Sequence, residues 1–487
     1  MSTTISHRPP RKYLVLAICC MSLLIVSMDA TIVNVALPSI RADFDVTISN
    51  LQWTIDAYTL TLASFLLLSG ALADRFGRRR TFQVGLAIFV VGSLMCSLAP
   101  NVGWLIGARV LQGLGGSMLN PVAMSIITNT FPVAKERARA VGVWSATVGV
   151  SMAIGPIVGG ALTQTVGWRA VFWVNVPIGL AAILLTALFV PESKSGVVRK
   201  LDPVGQLIAI VVLVSAVFAL IEGPRLGWTS PVTLGLFALT VVALFGFIVQ
   251  EHHTSHPFID LRFFTSFPLT SGFLSAVLGS SSFGAFLFIN ALYLQDVRGL
   301  SPIGTGTFML PLAAATLVTS LVTGRLVGRF GARPSFIAAG ILMAASALTM
   351  TTITVNAPDW VLIVSYVLFG LGFGSINTPI TTSVVSGMPR SRAGVASGLA
   401  STGRQVGISL GVALAGSVTG AGLQTTLGPS FALAAHADWW VIVGAGLTIV
   451  ILGVLSATAW SRRSTSRIAE LLDDPETGAS APVREAA

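Results

Sequence analysis

Residues 70–80 read GALADRFGRRR, and residues 326–334 read LVGRFGARP. The two stretches share the frame Leu-x-x-Arg-Phe-Gly-x-Arg, with Gly328 in the second where Asp74 stands in the first. Each is a charged gap between two long apolar runs. Any loop on one side of a membrane collects arginine, so the positive charges alone carry little information. A matched frame after the second and the tenth apolar run is different. It makes the chain a duplicated helical unit, a plan built from parallel six-helix repeats.

Composition supports a membrane protein. The chain has 487 residues, 53% hydrophobic and 10% charged, whereas soluble domains carry about 25% charged residues. Its 49 glycines suit close-packed membrane helices. The net charge of +10 sits in short gaps between apolar runs, which points to topology and away from nucleic acid. The three cysteines, Cys19, Cys20 and Cys96, lie inside apolar runs and imply no disulfide framework. The first apolar run is too long for a cleaved signal peptide and reads as a retained span.

A span needs roughly 20 apolar residues, and fourteen candidates satisfy this: about 13–37, 51–71, 81–99, 103–127, 138–164, 169–190, 203–222, 230–250, 269–295, 303–325, 333–353, 358–383, 392–418 and 438–460. With the N-terminus inside, 23 of the 29 Lys and Arg fall on the inner side. Four lie in outer loops (Arg41, Arg169, Arg225, Arg298), and Arg109 and Arg404 lie within spans. The bias predicts both termini in the cytoplasm. The expected organisation is a short N-terminus at 1–12 and a six-helix bundle at 13–190. Two inserted helices and an inner interfacial loop follow at 191–268, then a second six-helix bundle at 269–460 and a polar tail at 461–487. Phe258, Leu261, Phe263 and Phe264 predict a short amphipathic helix on the inner interface. The nearby His252, His253 and His256 read as a solvated loop, and no metal is expected.

Charge at membrane depth is costly and marks function by default. Asp29, Asp56 and Arg109 all fall in the outer half of their spans, which allows two acids and one arginine to meet inside the first bundle. An acid poised between burial and a cation can load and release a proton. Asp29 is expected to carry the proton or a cationic substrate group, with Asp56 assisting and Arg109 tuning both. A static Asp29–Arg109 ion pair, and an Asp56 solvated at the outer interface, are the competing readings. In the fifth span, Gly155 and Gly159 form a small-xxx-small face beside Gly160, and Pro156 can bend the helix. Gly70 predicts close helix approach, and Gly77 a tight turn. Arg404 lies near the middle of the thirteenth span, where Gln405, Asn290 and Asn377 could share its cavity. No acid is expected deep in the C-terminal spans. No Gly-x4-Gly-Lys-Ser/Thr loop occurs, so ATP is not the energy source within this chain. No cofactor is expected.

The 70–80 stretch, with Asp74, Arg75 and Arg78, resembles the signature between spans 2 and 3 of the major facilitator superfamily. Arg109-Val-Leu-Gln112-Gly113-Leu-Gly115-Gly116 in span 4 fits the same family. The span 5 string from Gly149 to Gly160 resembles the motif associated with antiporters there. Asp29-Ala-Thr31-Ile-Val-Asn34-Val-Ala-Leu-Pro38, with fourteen spans, resembles the EmrB/QacA-like drug:proton antiporter branch. Trp168, Arg169, Phe172, Asn175, Pro177 and Gly179 fit it as well. The resemblance implies an all-α polytopic membrane protein with the major facilitator fold: two six-helix bundles plus two additional central helices. It adds Asn34 and Gln112 to the coupling and substrate residues. It implies a cytoplasmic latch from Asp74 between spans 2 and 11 that holds the outward-facing state. The implied function is proton antiport of amphipathic toxic compounds across the cytoplasmic membrane by alternating access. The partners are then a small molecule, protons and lipid, in a chain that can act as a monomer. A dedicated exporter of a metabolite, antibiotic or lipid, a proton symporter, and a non-transport membrane protein are the alternatives. No nucleophile–base set supports an enzyme.

Overall fold

The computed structural model describes residues 12–194, 202–254, 257–355, 357–388, 393–420 and 429–456, with positions 458, 461, 463 and 464. His256, the first eleven residues and nearly all of the polar tail lie outside the described residues.

Thirteen helices are long and apolar enough to span a membrane. They are α1 (Lys12–Phe44), α2 (Ile48–Phe76), α3 (Arg78–Ser97), α4 (Val102–Thr130), α5 (Lys135–Thr165), α6 (Ala170–Phe189), α7 (Pro203–Leu226), α8 (Pro231–His253), α9 (Phe267–Val297), α10 (Pro302–Phe330), α11 (Ala332–Met350), α12 (Asp359–Ser386) and α14 (Ser430–Leu455). The remaining span, α13 (Ala393–Gly420), is as long as the others but rich in glycine and interrupted by Arg404 and Gln405. No strand occurs among the described residues. Helix α1 continues through Pro38 to Phe44, beyond the expected end at residue 37, which moves Asp29 closer to the middle of the span.

Helices α1–α6 form one bundle and α9–α14 the other, with strongest packing of α9 on α13, α3 on α4, and α11 on α14 and α12. The face that bears the start of α1 and both arginine loops is called the near face; the opposite one is the far face. The repeated loops share a backbone. Gly77 has φ +107° and Gly331 φ +78°, values that L side chains rarely adopt. Each follows an Arg-Phe pair in which the guanidinium lies over the next ring, Arg75 over Phe76 at 5.5 Å and Arg329 over Phe330 at 5.2 Å.

The bundles join closely in the far half. Gln52 of α2 donates to the carbonyls of Val412 and Ala413 of α13 at 2.9 and 2.8 Å. Gln295 of α9 donates to the Val35 carbonyl of α1 at 2.9 Å, and Arg41 lies 3.5 Å from Asp296. The glycines of α5 serve two partners. A Cβ on Gly155 would strike Thr31 of α1, and one on Gly159 would come 2.8 Å from Ile32. Gly160 faces the other bundle, where a Cβ would strike the Pro302 carbonyl of α10 and approach the Ile303 Cα at 2.8 Å. Gly306 of α10 reciprocates against the Pro156 carbonyl.

The two extra helices lie over one seam. Helix α7 packs on both α2 and α13, and α8 packs on α7. Ser49 donates to the Ile221 carbonyl at 3.1 Å, Trp53 to Glu222 Oε1 at 3.1 Å, and Gln206 to the Ser64 carbonyl at 2.5 Å. These bonds tie α7 to α2 at both ends. Toward α13, α7 presents Val217 and Ile221 to Ala413 and Leu410. The expected interfacial helix after α8 is instead a short 3-10 turn, Leu261–Thr265. Its Phe263 is buried in the core, and Phe264 meets Phe273 of α9 edge-on at 5.4 Å. These rings anchor the turn to protein, not lipid.

Gly160→Val should force α5 from α10 by overpacking, at about 1–3 kcal/mol. A thermal melt of the purified variant should show a clearly lowered Tm, while Gly444→Val, at a glycine with open space around it, should not.

Candidate functional site

Asp29 lies at the centre of the first bundle and is fully buried. Three donors from two other helices meet its carboxylate. Arg109 Nη1 of α4 approaches Oδ2 at 2.5 Å, Gln112 Nε2 donates to Oδ1 at 2.8 Å, and Asn175 Nδ2 of α6 to the same oxygen at 3.2 Å. Arg109 is matched in turn: Nε donates to the Thr54 carbonyl of α2 at 2.9 Å and Nη1 to Gln112 Oε1 at 2.7 Å. Its guanidinium sits 4.1 Å over the Tyr58 ring and 5.7 Å from that of Phe172. Gln112 also donates to Ser93 of α3 at 2.8 Å. Burying a carboxylate and a guanidinium requires this degree of satisfaction.

Glycine makes the approach possible. A Cβ on Gly92 of α3 would fall 2.6 Å from the backbone nitrogen of Gln112, and one on Gly113 would fall 2.7 Å from the Tyr58 carbonyl. The Gly-rich run after Arg109 therefore brings α4 against α2 and α3 until single side chains reach between them.

Asp56 does not join this group. Thr54 and Tyr58, one turn apart on α2, face α4 and Arg109. Asp56 lies between them in sequence and so on the opposite side of the helix. It continues the stripe of Gln52 and Leu60, which faces α13 and α7. Asp56 is fully buried, not solvated at the outer interface. Thr59 donates to Oδ1 at 3.3 Å. Oδ2 faces the Ser409 hydroxyl of α13, and neither atom completes a well-aligned hydrogen bond. No cation pairs with Asp56 among the described residues. Thus Asp29, Arg109 and Gln112 meet, while Asp56 occupies the seam between bundles.

The other expected residues divide likewise. Asn34 donates to the Ala30 carbonyl of its own helix at 3.0 Å and not to Asp29. Asp74 pairs with Arg78 at 3.4 Å within its loop. The helix across the seam from α2 is α13, not α11, which corrects the expected partner of the latch. A Cβ on Gly70 would meet nothing within 4 Å, so close helix approach is not its role in this conformation. Gly77 is close-packed instead, with the Glu192 carboxylate 2.6 Å from where a Cβ would stand. Glu192 follows α6 and accepts from the backbone nitrogens of Arg79 and Arg80 at 3.1 and 3.3 Å, capping the start of α3 where the helix dipole favours an anion. Asn290 lies inside the second bundle rather than in a shared cavity: it donates to the Phe286 carbonyl at 2.8 Å and accepts from Tyr366 at 2.6 Å. Asn377 is partly buried and bonded to the Phe373 carbonyl of its own helix. Arg404 and Gln405 are partly buried on α13.

Three participants lie outside the sequence-based expectations. Asn175 stands there only as part of a motif, although an amide inside an apolar run is a signal of buried bonding. Glu192 carries the signal of a single acid just past a span. Asp438 is buried about two turns into α14, deeper than the span end at which the sequence places it.

Fourteen membrane-length helices, twelve of them in two facing bundles and one bundle holding a buried ion pair, describe a multi-pass membrane transporter. The chain belongs to the Major Facilitator Superfamily, whose sequence profile matches residues 19–412. It is 38% identical over 411 residues to the multidrug resistance protein Stp of Mycobacterium tuberculosis (strain CDC 1551 / Oshkosh), covering 84% of this chain and 76% of that one. It is 38% identical over 385 residues to the tetracenomycin C resistance and export protein of Streptomyces glaucescens, covering 79% and 71%. The methylenomycin A resistance protein of Streptomyces coelicolor (strain ATCC BAA-471 / A3(2) / M145) is 35% identical over 381 residues, covering 78% and 80%. A crystal structure of a bacterial homolog to the human lysosomal transporter Spinster shares the fold, with TM-score 0.61 and 19% identity over 95% of this chain and 98% of that one.

Removing one member of a buried ion pair strands the other, at about 3–5 kcal/mol. Arg109→Gln should therefore lower thermal stability strongly, and Asp29→Asn added to it should recover part of the loss. A double-mutant cycle of melting curves measures this; additive losses would show that the pair is not coupled.

Proposed function

We propose that this chain is a proton-driven exporter of amphipathic, toxic organic compounds, set in a bacterial cytoplasmic membrane with both termini in the cytoplasm. The observation that carries this reading is the pair of buried carboxyls in unequal settings. Asp29 is matched by a cation and amide donors, whereas Asp56 faces the inter-bundle seam with an unpartnered oxygen. In this reading the near face is cytoplasmic, and the far-half contacts are those of the cytoplasm-facing conformation.

In this reading, opening the far face parts α2 from α13 at Gln52 and admits outside water to Asp56 and then toward Asp29. Protonation of Asp29 dissolves its charge interaction with Arg109. The guanidinium keeps two acceptors, the Thr54 carbonyl and Gln112 Oε1, so it is not stranded. Substrate leaves outward as the proton enters, and closure of the far face turns both acids inward again. Asn34, one and a half turns from Asp29, lines the same helix, and Gln112 relays between Asp29 and Arg109. Gly155, Pro156, Gly159 and Gly160 form the sliding contact of the far gate. Asp74, Arg75, Gly77 and Arg78 form the latch of the opposite state, in which Asp74 exchanges Arg78 for the near end of α13. No cofactor takes part; the proton gradient is the energy source, and the working unit is a monomer.

A second reading, a dedicated exporter of one antibiotic, is favoured by the two relatives named for tetracenomycin C and methylenomycin A. A drug-susceptibility panel in an efflux-deficient host separates broad from single-compound resistance.

Everted vesicles with an imposed proton gradient should accumulate an amphipathic dye. Asp29→Asn and Asp56→Asn should each lower that flux at least tenfold. Flux that ignores the gradient in the parent, or full flux in both variants, would overturn the proposal.

A further inference from the structure

The two arginine loops share a frame and differ in what covers it. In the first, the Glu192 carboxylate lies 2.6 Å from where a Cβ on Gly77 would stand and accepts from the backbone nitrogens of Arg79 and Arg80. Glu192 also lies 3.8 Å from Arg80 Nε, and Asp74 pairs with Arg78. Two acids of the chain thus answer the cations of that loop. The second loop has neither. Gly328 stands at the position of Asp74, and a Cβ on Gly328 or Gly331 would meet nothing within 4 Å. Arg329 and Arg333 are exposed and form no ion pair among the described residues.

Beside the second loop, α10, α11 and α12 enclose a cleft of about 180 Å³. Leu326 and Phe330 of α10 and Pro334 and Ala338 of α11 line it, with Thr323 and Ser335 as buried members of the lining. Thr323 and Phe330 are about 10 Å apart along α10, so the cleft runs from the loop into the span. Its direction follows from the helix. Leu317 of α10 meets Gly149 of α5 in the other bundle, and Leu326 comes two and a half turns later, on the opposite side. The cleft is therefore turned away from the other bundle, toward lipid. Cation and cleft meet at one ring: the Arg329 guanidinium lies over Phe330 at 5.2 Å. Arg333 directly precedes Pro334 at the other wall.

A guanidinium offers a planar fork of donors suited to a phosphate, and basic residues at a membrane surface attract anionic lipid. A free anion would satisfy the arginines and leave the cleft unfilled. A zwitterionic lipid would fill the cleft but bring a cation of its own to the arginines. We propose that the second loop and its cleft bind one anionic phospholipid. Its phosphate takes the place on Arg329 and Arg333 that chain carboxylates take in the first loop, and an acyl chain lies between α10 and α11. The site is apart from the substrate path and does not depend on the export reading.

The test compares dioleoylphosphatidylglycerol with dioleoylphosphatidylcholine, which have the same tails and differ in charge. Bound lipid is counted by native mass spectrometry on the purified full-length protein in detergent. The parent should hold the anionic lipid at least tenfold more tightly. Arg329→Gln combined with Arg333→Gln should erase that preference while phosphatidylcholine binding is unchanged. Gly328→Asp restores the acid of the first loop at a position with open space, and should erase the preference with both arginines in place. Ala338→Trp fills the cleft and should weaken both lipids. No preference in the parent, a preference that survives the arginine or Gly328→Asp substitutions with a normal melting curve, or undiminished binding in Ala338→Trp would overturn the proposal. Competition by glycerol 3-phosphate as effective as that of the lipid would make this a free-anion site and overturn it too. A preference that appears only after deletion of residues 465–487 would do the same, and would give the loop to the chain's own acidic tail.

Discussion

The Asp29–Arg109 pair is the constraint around which the first bundle is arranged. Two opposite charges at membrane depth can be tolerated only if every remaining donor and acceptor finds a partner. That requirement draws four further groups to one point: the Thr54 carbonyl of α2, Ser93 of α3, Gln112 on the same helix as the arginine, and Asn175 of α6. Side chains this short cannot bridge helices at ordinary spacing. The glycines at 92 and 113 are the structural answer to an electrostatic problem, because they bring the backbones within reach.

The second bundle repeats the architecture without the central ion pair. Its loop keeps the Arg-Phe stack and the positive-φ glycine, but Gly328 replaces the acid and has open space around it. At its centre, stacked aromatic rings and the Asn290–Tyr366 bond stand where the first bundle has an ion pair. Duplication preserved the features that shape the chain. It did not preserve the loop acid or the paired charges at the bundle's centre.

Much of this is legible in the residues, for reasons that can be stated. The turn at Gly77 and Gly331 needs a conformation that only glycine adopts freely, so its sequence mark survives in both halves. Membrane-length apolar runs must be helical, since backbone groups have no other partner in lipid, so span number and order follow directly. The ion pair is readable because charge in a span needs a reason. Asp56 is harder to place because depth says nothing of rotation: residues 54, 56 and 58 share a depth but not a face. Asn175 and Glu192 are hidden for another reason. Their partners come from distant segments, and no local periodicity records a bond between the end of α6 and the start of α3. Gly70 warns of the converse, since a glycine in a motif need not touch anything in a given conformation.

The inserted hairpin holds its two neighbours in unlike ways. Toward α2 it has three directional bonds, from Ser49, Trp53 and Gln206. Toward α13 it has the branched aliphatic groups of Val217 and Ile221, set against Ala413 and Leu410. Hydrogen bonds have register, so displacement by one residue breaks them. Aliphatic contact is less directional, so a small displacement costs less there than at the hydrogen-bonded side. The hairpin therefore behaves as a gasket glued to one flange and greased on the other, keeping lipid from the seam at Asp56 while leaving α13 free to shear beneath it.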